Sequence, residues 1–241
     1  LATRDDVAAV IFEPSGASWG QVPMPPGFIA RLREITREHG VVLIFDEVIT
    51  GFRWSRGGAQ ARIGVTPDMS VLAKIVAGGL PGGAVAGRAD IMDQLDAAAA
   101  KRSAREKIGH QGTFNANPLC AAAAVATLSI VEKEDVCADA ERTAEAIRSG
   151  MRQILIEEQV PWGVYGEAST FLVFQNPKKL PIDPATFDPL QYGFAELKGT
   201  RNADLANRLR LALLANGVDI MGAPGGLVSA THGPREVAHT L

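Results

Sequence analysis

The sequence predicts an α/β protein built on a largely parallel sheet, followed by a smaller C-terminal α+β domain. Two short apolar runs, Val7 to Phe12 (VAAVIF) and Val41 to Phe45 (VVLIF), bracket a helical pattern. That is a βαβ unit, which requires parallel strands and a right-handed crossover. Glycine, at 25 of 241 residues, is concentrated at 78–87 and 222–226, where backbone must approach something closely. Beyond about residue 135 the strand–helix alternation gives way to long helices and a loop-rich tract.

Taken in order, Val7 to Phe12 reads as a strand buried on both faces. Pro25 to His39 places Phe28, Leu32 and Ile35 at helical spacing, and Gly40 stops that helix. Val41 to Phe45 is a second buried strand, Met69 to Ile75 a third apolar segment with its strand at Met69 to Ala73, and Ala84 to Gly87 a short fourth strand. Asp90 caps a helix running to about Lys107. Gly109 to Pro118 (GHQGTFNANP) is a polar loop. Helices are expected over Leu119 to Glu132 and Val136 to Glu158, parted by Glu134 and Asp135. Ala168 to Gln175 is strand-like and 176–200 is loop. Asn202 to Asn216 is an amphipathic helix ended by Gly217, and Leu227 to Thr231 is a last strand. The division expected is 1–135 for the large domain and 136–241 for the small one.

Composition narrows the function. With 24 basic against 27 acidic residues the net charge is −3, which offers no footprint for nucleic acid. The longest apolar stretch, Pro118 to Val131, is shorter than the roughly 20 residues a membrane helix needs. Cys120 and Cys137 cannot form a disulfide framework and read as thiols of a cytoplasmic protein. Leu1 is not methionine, no targeting leader precedes the first strand, and the helical pattern from Pro234 stops after two turns. The expectation is a piece of a longer protein, with both domains incomplete.

Polar residues stand where buried strands end. Asp46 closes VVLIF, and a carboxylate there is costly to bury unless something positive faces it. Lys74 closes the third strand, followed by glycines, and poor hydration favours its neutral, nucleophilic amine. Ligands of open parallel sheets bind at the carboxyl ends of strands, so the two residues are expected to face one crevice. Pyridoxal 5′-phosphate needs this pair. An amine holds its aldehyde, a carboxylate keeps the pyridine nitrogen protonated, and the charged ring becomes an electron sink. Thr113 and nearby N–H groups can take phosphate oxygens.

The stretch from Phe45 to Arg53 (FDEVITGFR), then Pro67-Asp68, then Lys74 with its glycines and Gly112-Thr113, resembles the signature of class III aminotransferases. Their glutamate-1-semialdehyde aminomutase branch is nearest. The resemblance implies the type I pyridoxal-phosphate-dependent transferase fold and a homodimer with shared sites. Small-molecule amino donors and carbonyl acceptors would be the substrates. It implies that Lys74 is the Schiff-base lysine and proton shuttle, that Asp46 pairs with the pyridinium and that Val48 packs on a ring face. Gly112 and Thr113 would reach the phosphate of the partner's cofactor, and Ser18 would be a further cofactor contact. Glu47 reads as structural. The mutase pattern carries asparagine where Ser18 stands, and a glutamate near Ala223-Pro224-Gly225-Gly226. Both departures favour an aminotransferase over the mutase.

Other readings are weaker. Gly16 to Gly20 matches the nucleophile elbow G-x-S-x-G, with Asp219 and His232 in triad order, but nearby prolines spoil the strand-to-helix turn. The glycines at 78–87 do not satisfy G-x-G-x-x-G, and no P-loop or metal-ligand spacing is present. A non-catalytic protein of the same fold is the alternative outside enzymology.

Overall fold

The computed structural model describes residues 4–199 and 202–241. In chain order its elements begin with β1 (Ala9–Phe12), a short irregular turn α1 (Ala17–Gly20), α2 (Phe28–Glu38), β2 (Val42–Asp46), α3 (Gly58–Ile63) and β3 (Met69–Ala73). They continue with β4 (Gly83–Gly87), α4 (Ala89–Met92), α5 (Ala97–Arg102), α6 (Pro118–Lys133) and α7 (Val136–Glu157). The chain closes with β5 (Gly163–Tyr165), β6 (Thr170–Phe174), α8 (Ala203–Ala215), β7 (Gly225–Leu227) and α9 (Pro234–Thr240). No described helix is long and apolar enough to cross a membrane. The chain divides into two compact units. One comprises 1–14 and 26–134, the other 15–25 and 135–241.

The first unit holds a sheet of order β1-β2-β3-β4, parallel until the last pair, which is antiparallel. Leu43 and Phe45 of β2 are fully buried, as their unbroken apolar run requires of a central strand. α2 packs on β2. Gly40, in the left-handed region at φ 63°, turns the chain from α2 into β2, and Val41 N donates to Thr36 O (2.8 Å) to close the turn.

One carboxylate ties these elements together. Asp68 N donates to Leu43 O (2.8 Å), and Leu43 N donates back to Asp68 Oδ2 (2.8 Å). Arg33 of α2 reaches Oδ2 at 2.8 Å, and Arg88, just past β4, reaches Oδ1 at 3.0 Å. Burial by itself would raise the Asp68 carboxyl. The Leu43 N–H and the Arg88 and Arg33 guanidiniums outweigh it and hold the group below the ordinary carboxylate value.

Two expectations are corrected in this unit, and a third is met. β1 is not buried on both faces: it pairs with β2 alone among the described residues, alternate positions are exposed, and Ile11 is 59% exposed. The helix expected from Asp90 to Lys107 is broken into α4, a 3₁₀ turn at Asp93–Leu95, and α5. Asp90 lies in the first turn of α4 with its carboxylate held by Arg88, and the working cap is Asp96, which accepts from Ala98 N (2.7 Å) and starts α5 anew. The short fourth strand expected at Ala84 to Gly87 forms at Gly83–Gly87, antiparallel to β3 and with all five residues exposed. α6 starts where Asn117 Oδ1 accepts from Leu119 N (3.0 Å) and Cys120 N (3.2 Å), with Pro118 at its first position.

The second unit is a three-stranded antiparallel sheet, β5-β6-β7, with α7 across β5 and β6 and α9 against α7. Its core gathers Ala144, Ile147, Phe171, Ile220 and Val228. Arg148 is buried, pairs with Glu145 (2.7 Å), and donates to the carbonyls of Ala168 (3.1 Å) and Thr170, fixing α7 over the entry to β6. Tyr165 Oη donates to Gln21 O (2.7 Å), which binds the 15–25 segment into this unit. The last strand lies at Gly225–Leu227, ahead of the expected 227–231, because it is Gly225 and Gly226 that pair with Leu172 and Phe171. β5 was not foreseen, since three residues show no period. Within 176–200 no strand forms among the described residues, and Thr200 lies outside them.

Replacing Asp68 by Asn should cost about 3 kcal/mol near neutral pH, because the Arg33 and Arg88 charges lose their counterion. The folded carboxyl sits below the unfolded one. Its contribution is therefore complete above the ordinary value of 3.8 and is lost as pH falls through the folded value. Urea unfolding of both proteins should show a wide gap at neutral pH that closes as pH drops below the carboxylate range.

Candidate active site

β2 and β3 run parallel and end side by side, with Asp46 opposite Val71. The ladder extends one step further, as Glu47 N donates to Val71 O (2.9 Å). β3 continues to Ala73, and Lys74 opens a 3₁₀ turn, Lys74–Ala77. Asp46 and Lys74 thus leave the sheet at the carboxyl ends of neighbouring strands, where open α/β sheets bind ligands.

Lys74 adopts φ 54°, the left-handed region that a side-chain-bearing residue enters at a cost of about 1–2 kcal/mol. The strand before it and the turn after it enforce this. Ala73 is held in register with Gly83, and the turn closes at Gly78 (φ 62°), whose N–H donates to Ile75 O (3.0 Å). Gly78 sits against α6 so closely that a Cβ would lie 2.5 Å from Ala123 O and 2.8 Å from Thr127 Oγ1. The turn that Lys74 opens is thus closed by a glycine seated against α6. Its side chain is exposed and makes no hydrogen bond or ion pair among the described residues.

Asp46 is half-buried, and its Oδ1 accepts from Val48 N (3.1 Å), a local turn that orients the carboxylate. It forms no ion pair with Lys74 or with any other described residue. Val48, also half-buried, follows on the same strand end. Gly112 and Thr113 lie in an exposed loop, in which Asn115 N donates to Gly112 O (3.0 Å). Next to them His110 and Phe114 border a cleft of about 390 Å³ with Ala77, Gly82 and Gly83, the segment that leaves Lys74. Lys74, Asp46 and Val48 are thus brought to one sheet end, and the Gly112-Thr113 loop runs along the stretch beyond it.

Ser18 belongs to the second unit, where its hydroxyl accepts from Lys198 Nζ. The hydrolase triad is not assembled: Asp219 is engaged by Arg210 (3.1 Å), and His232 Nδ1 accepts from Ser229 N (3.1 Å). Among the described residues no cluster of His, Cys, Asp and Glu can hold a metal ion. Sequence reasoning passed over the donors around Glu47 (Thr50, Ala59 and Gln60) and the seat at Gly78. The available signal was glycine itself, at 51, 57 and 58, in the loop after Asp46.

Residues 1–184 match the family model described as aminotransferase class-III. A glutamate-1-semialdehyde 2,1-aminomutase of Methanosarcina acetivorans is 38% identical over 240 residues, which are 99% of this chain and 52% of that protein. An omega-transaminase from Sphaerobacter thermophilus superposes with a TM-score of 0.76 at 34% identity, covering 96% of this chain and 49% of the other. A glutamate-1-semialdehyde aminomutase from Pseudomonas aeruginosa, solved in complex with PMP, gives 0.77 at 31%, covering 98% and 50%. The chain spans about half the length of the relatives it matches.

The strain at Lys74 has a measurable sign. Lys74→Gly should raise stability by about 1 kcal/mol in urea unfolding, since glycine enters this region freely. Lys74→Val should lower stability, because a β-branched residue tolerates it least.

Proposed function

This chain belongs to the class-III aminotransferase family, and on that premise we propose that it carries the reacting residues of a pyridoxal-phosphate enzyme. The reaction is transfer of an amino group from an amine or amino-acid donor to a carbonyl acceptor. The fold is that of the type I pyridoxal-phosphate-dependent transferases. One observation carries the functional reading. An amine and a carboxylate stand at the ends of adjacent parallel strands, in no ion pair with each other or with any other described residue, and the amine is on left-handed backbone. This donor set fits the cofactor, with an amine for its aldehyde and a carboxylate for its ring nitrogen.

When bound, pyridoxal 5′-phosphate supplies an electron sink for negative charge at the substrate's α-carbon. Lys74 would hold the cofactor by its aldehyde as the Schiff-base lysine, and as a free amine would take the proton from the substrate's α-carbon and deliver it to the carbon that had carried the aldehyde. Asp46 keeps the proton on the ring nitrogen, held in orientation by Val48 N. Val48 gives an apolar contact to the ring. Gly112 and Thr113 bind the phosphate of a second subunit's cofactor in a homodimer. Their exposed loop, with Ile108 51% and Phe114 67% exposed, supports that assignment. Ser18 is a further cofactor contact by its place in the motif. A cytoplasmic setting belongs to the same reading.

The second reading, intramolecular transfer as in the aminomutase, is supported by the names of the curated relatives. Against it stand Ser18, where the mutase pattern carries asparagine, and Ala223-Pro224-Gly225-Gly226, where it carries a glutamate. Ala223 borders a cleft of about 200 Å³ with Gln21, Leu172 and Asn207 and brings no charge to it.

In the whole protein, borohydride reduction followed by peptide mapping should place the label on Lys74, and a label elsewhere overturns the assignment. Lys74→Ala should lose at least roughly 10²–10⁴-fold in transfer rate. Asp46→Asn should fold and slow the reaction strongly; turnover near normal refutes its role. Supplying an amino donor with a keto acid separates the two reactions, because only the transferase yields exchanged products.

A further inference from the structure

Glu47 follows Asp46 directly, yet the two carboxylates live in opposite surroundings. Asp46 is half-buried at the strand end, whereas Glu47 is 0% exposed. Glu47 Oε2 accepts from Ala59 N (2.6 Å) and Thr50 Oγ1 (3.0 Å), and Oε1 accepts from Gln60 Nε2 (3.0 Å) and Gln60 N (3.4 Å). All four donors are neutral. Gln60 Nε2 also donates to Ser70 Oγ (3.1 Å) on β3, so the network closes a ring from the end of β2 through α3 to β3.

The chain folds tightly around this carboxylate. Gly58 sits at φ 69°, and a Cβ there would run into Glu47 Oε2. A Cβ on Gly51 would lie 2.8 Å from Glu47 O and 2.5 Å from Leu72 Cδ2. Burying a carboxylate without a cation costs far more than burying a neutral side chain, so closing a turn is a poor reason to keep one here. What a carboxylate does that an apolar residue does not is accept directed bonds at both oxygens. Successive residues of an extended strand point to opposite faces. Pinning Glu47 inward at four points therefore fixes the direction in which Asp46 leaves the strand.

We propose that Glu47 is a positioning residue, whose buried carboxylate holds the Asp46 carboxylate in its working orientation. The proposal rests on the reading of Asp46 given above. It is tested in the whole protein by a double-mutant cycle of Glu47→Gln, Asp46→Asn and the double variant. The readouts are pyridoxal 5′-phosphate dissociation followed by absorbance, kcat and KM, and a thermal melt. A Gln side chain presents an N–H where a donor already points, so Glu47→Gln should lose roughly tenfold in cofactor affinity and in kcat, with KM little changed. In the Asp46→Asn background the same substitution should add nothing, because the two residues act as one unit. Equal losses in both backgrounds mean that Glu47 only stabilises the fold, and wild-type behaviour of Glu47→Gln likewise overturns the proposal. If Asp46→Asn alone leaves cofactor binding and turnover intact, the reading of Asp46 falls, and this proposal with it. Should Glu47→Gln not fold, Gln60→Leu removes the Nε2 donor alone. It should reproduce a roughly threefold loss that vanishes in the Asp46→Asn background. A Gln60→Leu protein indistinguishable from wild type overturns the proposal.

Discussion

The reciprocal bond between Asp68 and Leu43 sets the register on which the site depends. Asp68 gives its N–H to Leu43 O and takes the Leu43 N–H on its side chain, and two arginines hold it in place. With β2 and β3 locked there, Asp46 stands opposite Val71, and Lys74 emerges just past the end of the ladder. Strand side chains alternate faces, so a slip of one residue would turn Asp46 into the interior and Glu47 outward. The two adjacent acids then could not keep their separate surroundings.

Both units use the same device of a buried ion satisfied by backbone and side-chain partners together. In the first, Glu47 and Asp68 collect N–H groups from α3 and β2. In the second, Arg148 is turned toward the carbonyls of Ala168 and Thr170 at the start of β6. A charge so placed orders the segments around it, since each bond left unmade would strand a desolvated group. Such stability offsets the left-handed backbone at Lys74, which lies between the β3–β4 ladder and the Gly78 seat.

Much of this was legible in the residues. VVLIF could only be a central strand, and Phe45 and Leu43 are fully buried in it. Asp46 and Lys74 stood out because charged groups close apolar runs, and the structure brings them to the ends of neighbouring strands. What escaped notice depends on contacts between distant segments. VAAVIF has the composition of a buried strand, but burial needs neighbours, and β1 has one among the described residues. The alanine-rich stretch after Asp90 has high helix propensity throughout, yet Asp96 caps a fresh start within it. Glu47 carries no sign in its own letter of the donors that converge on it from Thr50, Ala59 and Gln60.

The excursion of residues 15–25 into the second unit bears on how the molecule comes to be made. Gln21 leaves the ribosome 144 residues ahead of its partner Tyr165. Until that hydroxyl arrives, the early segment must wait as an unanchored loop, while the β2–β3 core can already condense from contiguous chain. The bridge between them carries a large loop-closure entropy and forms late in synthesis. Severing the polypeptide between Glu134 and Asp135 would not yield a self-sufficient second unit, because one of its pieces, 15–25, is encoded upstream of the whole 26–134 stretch.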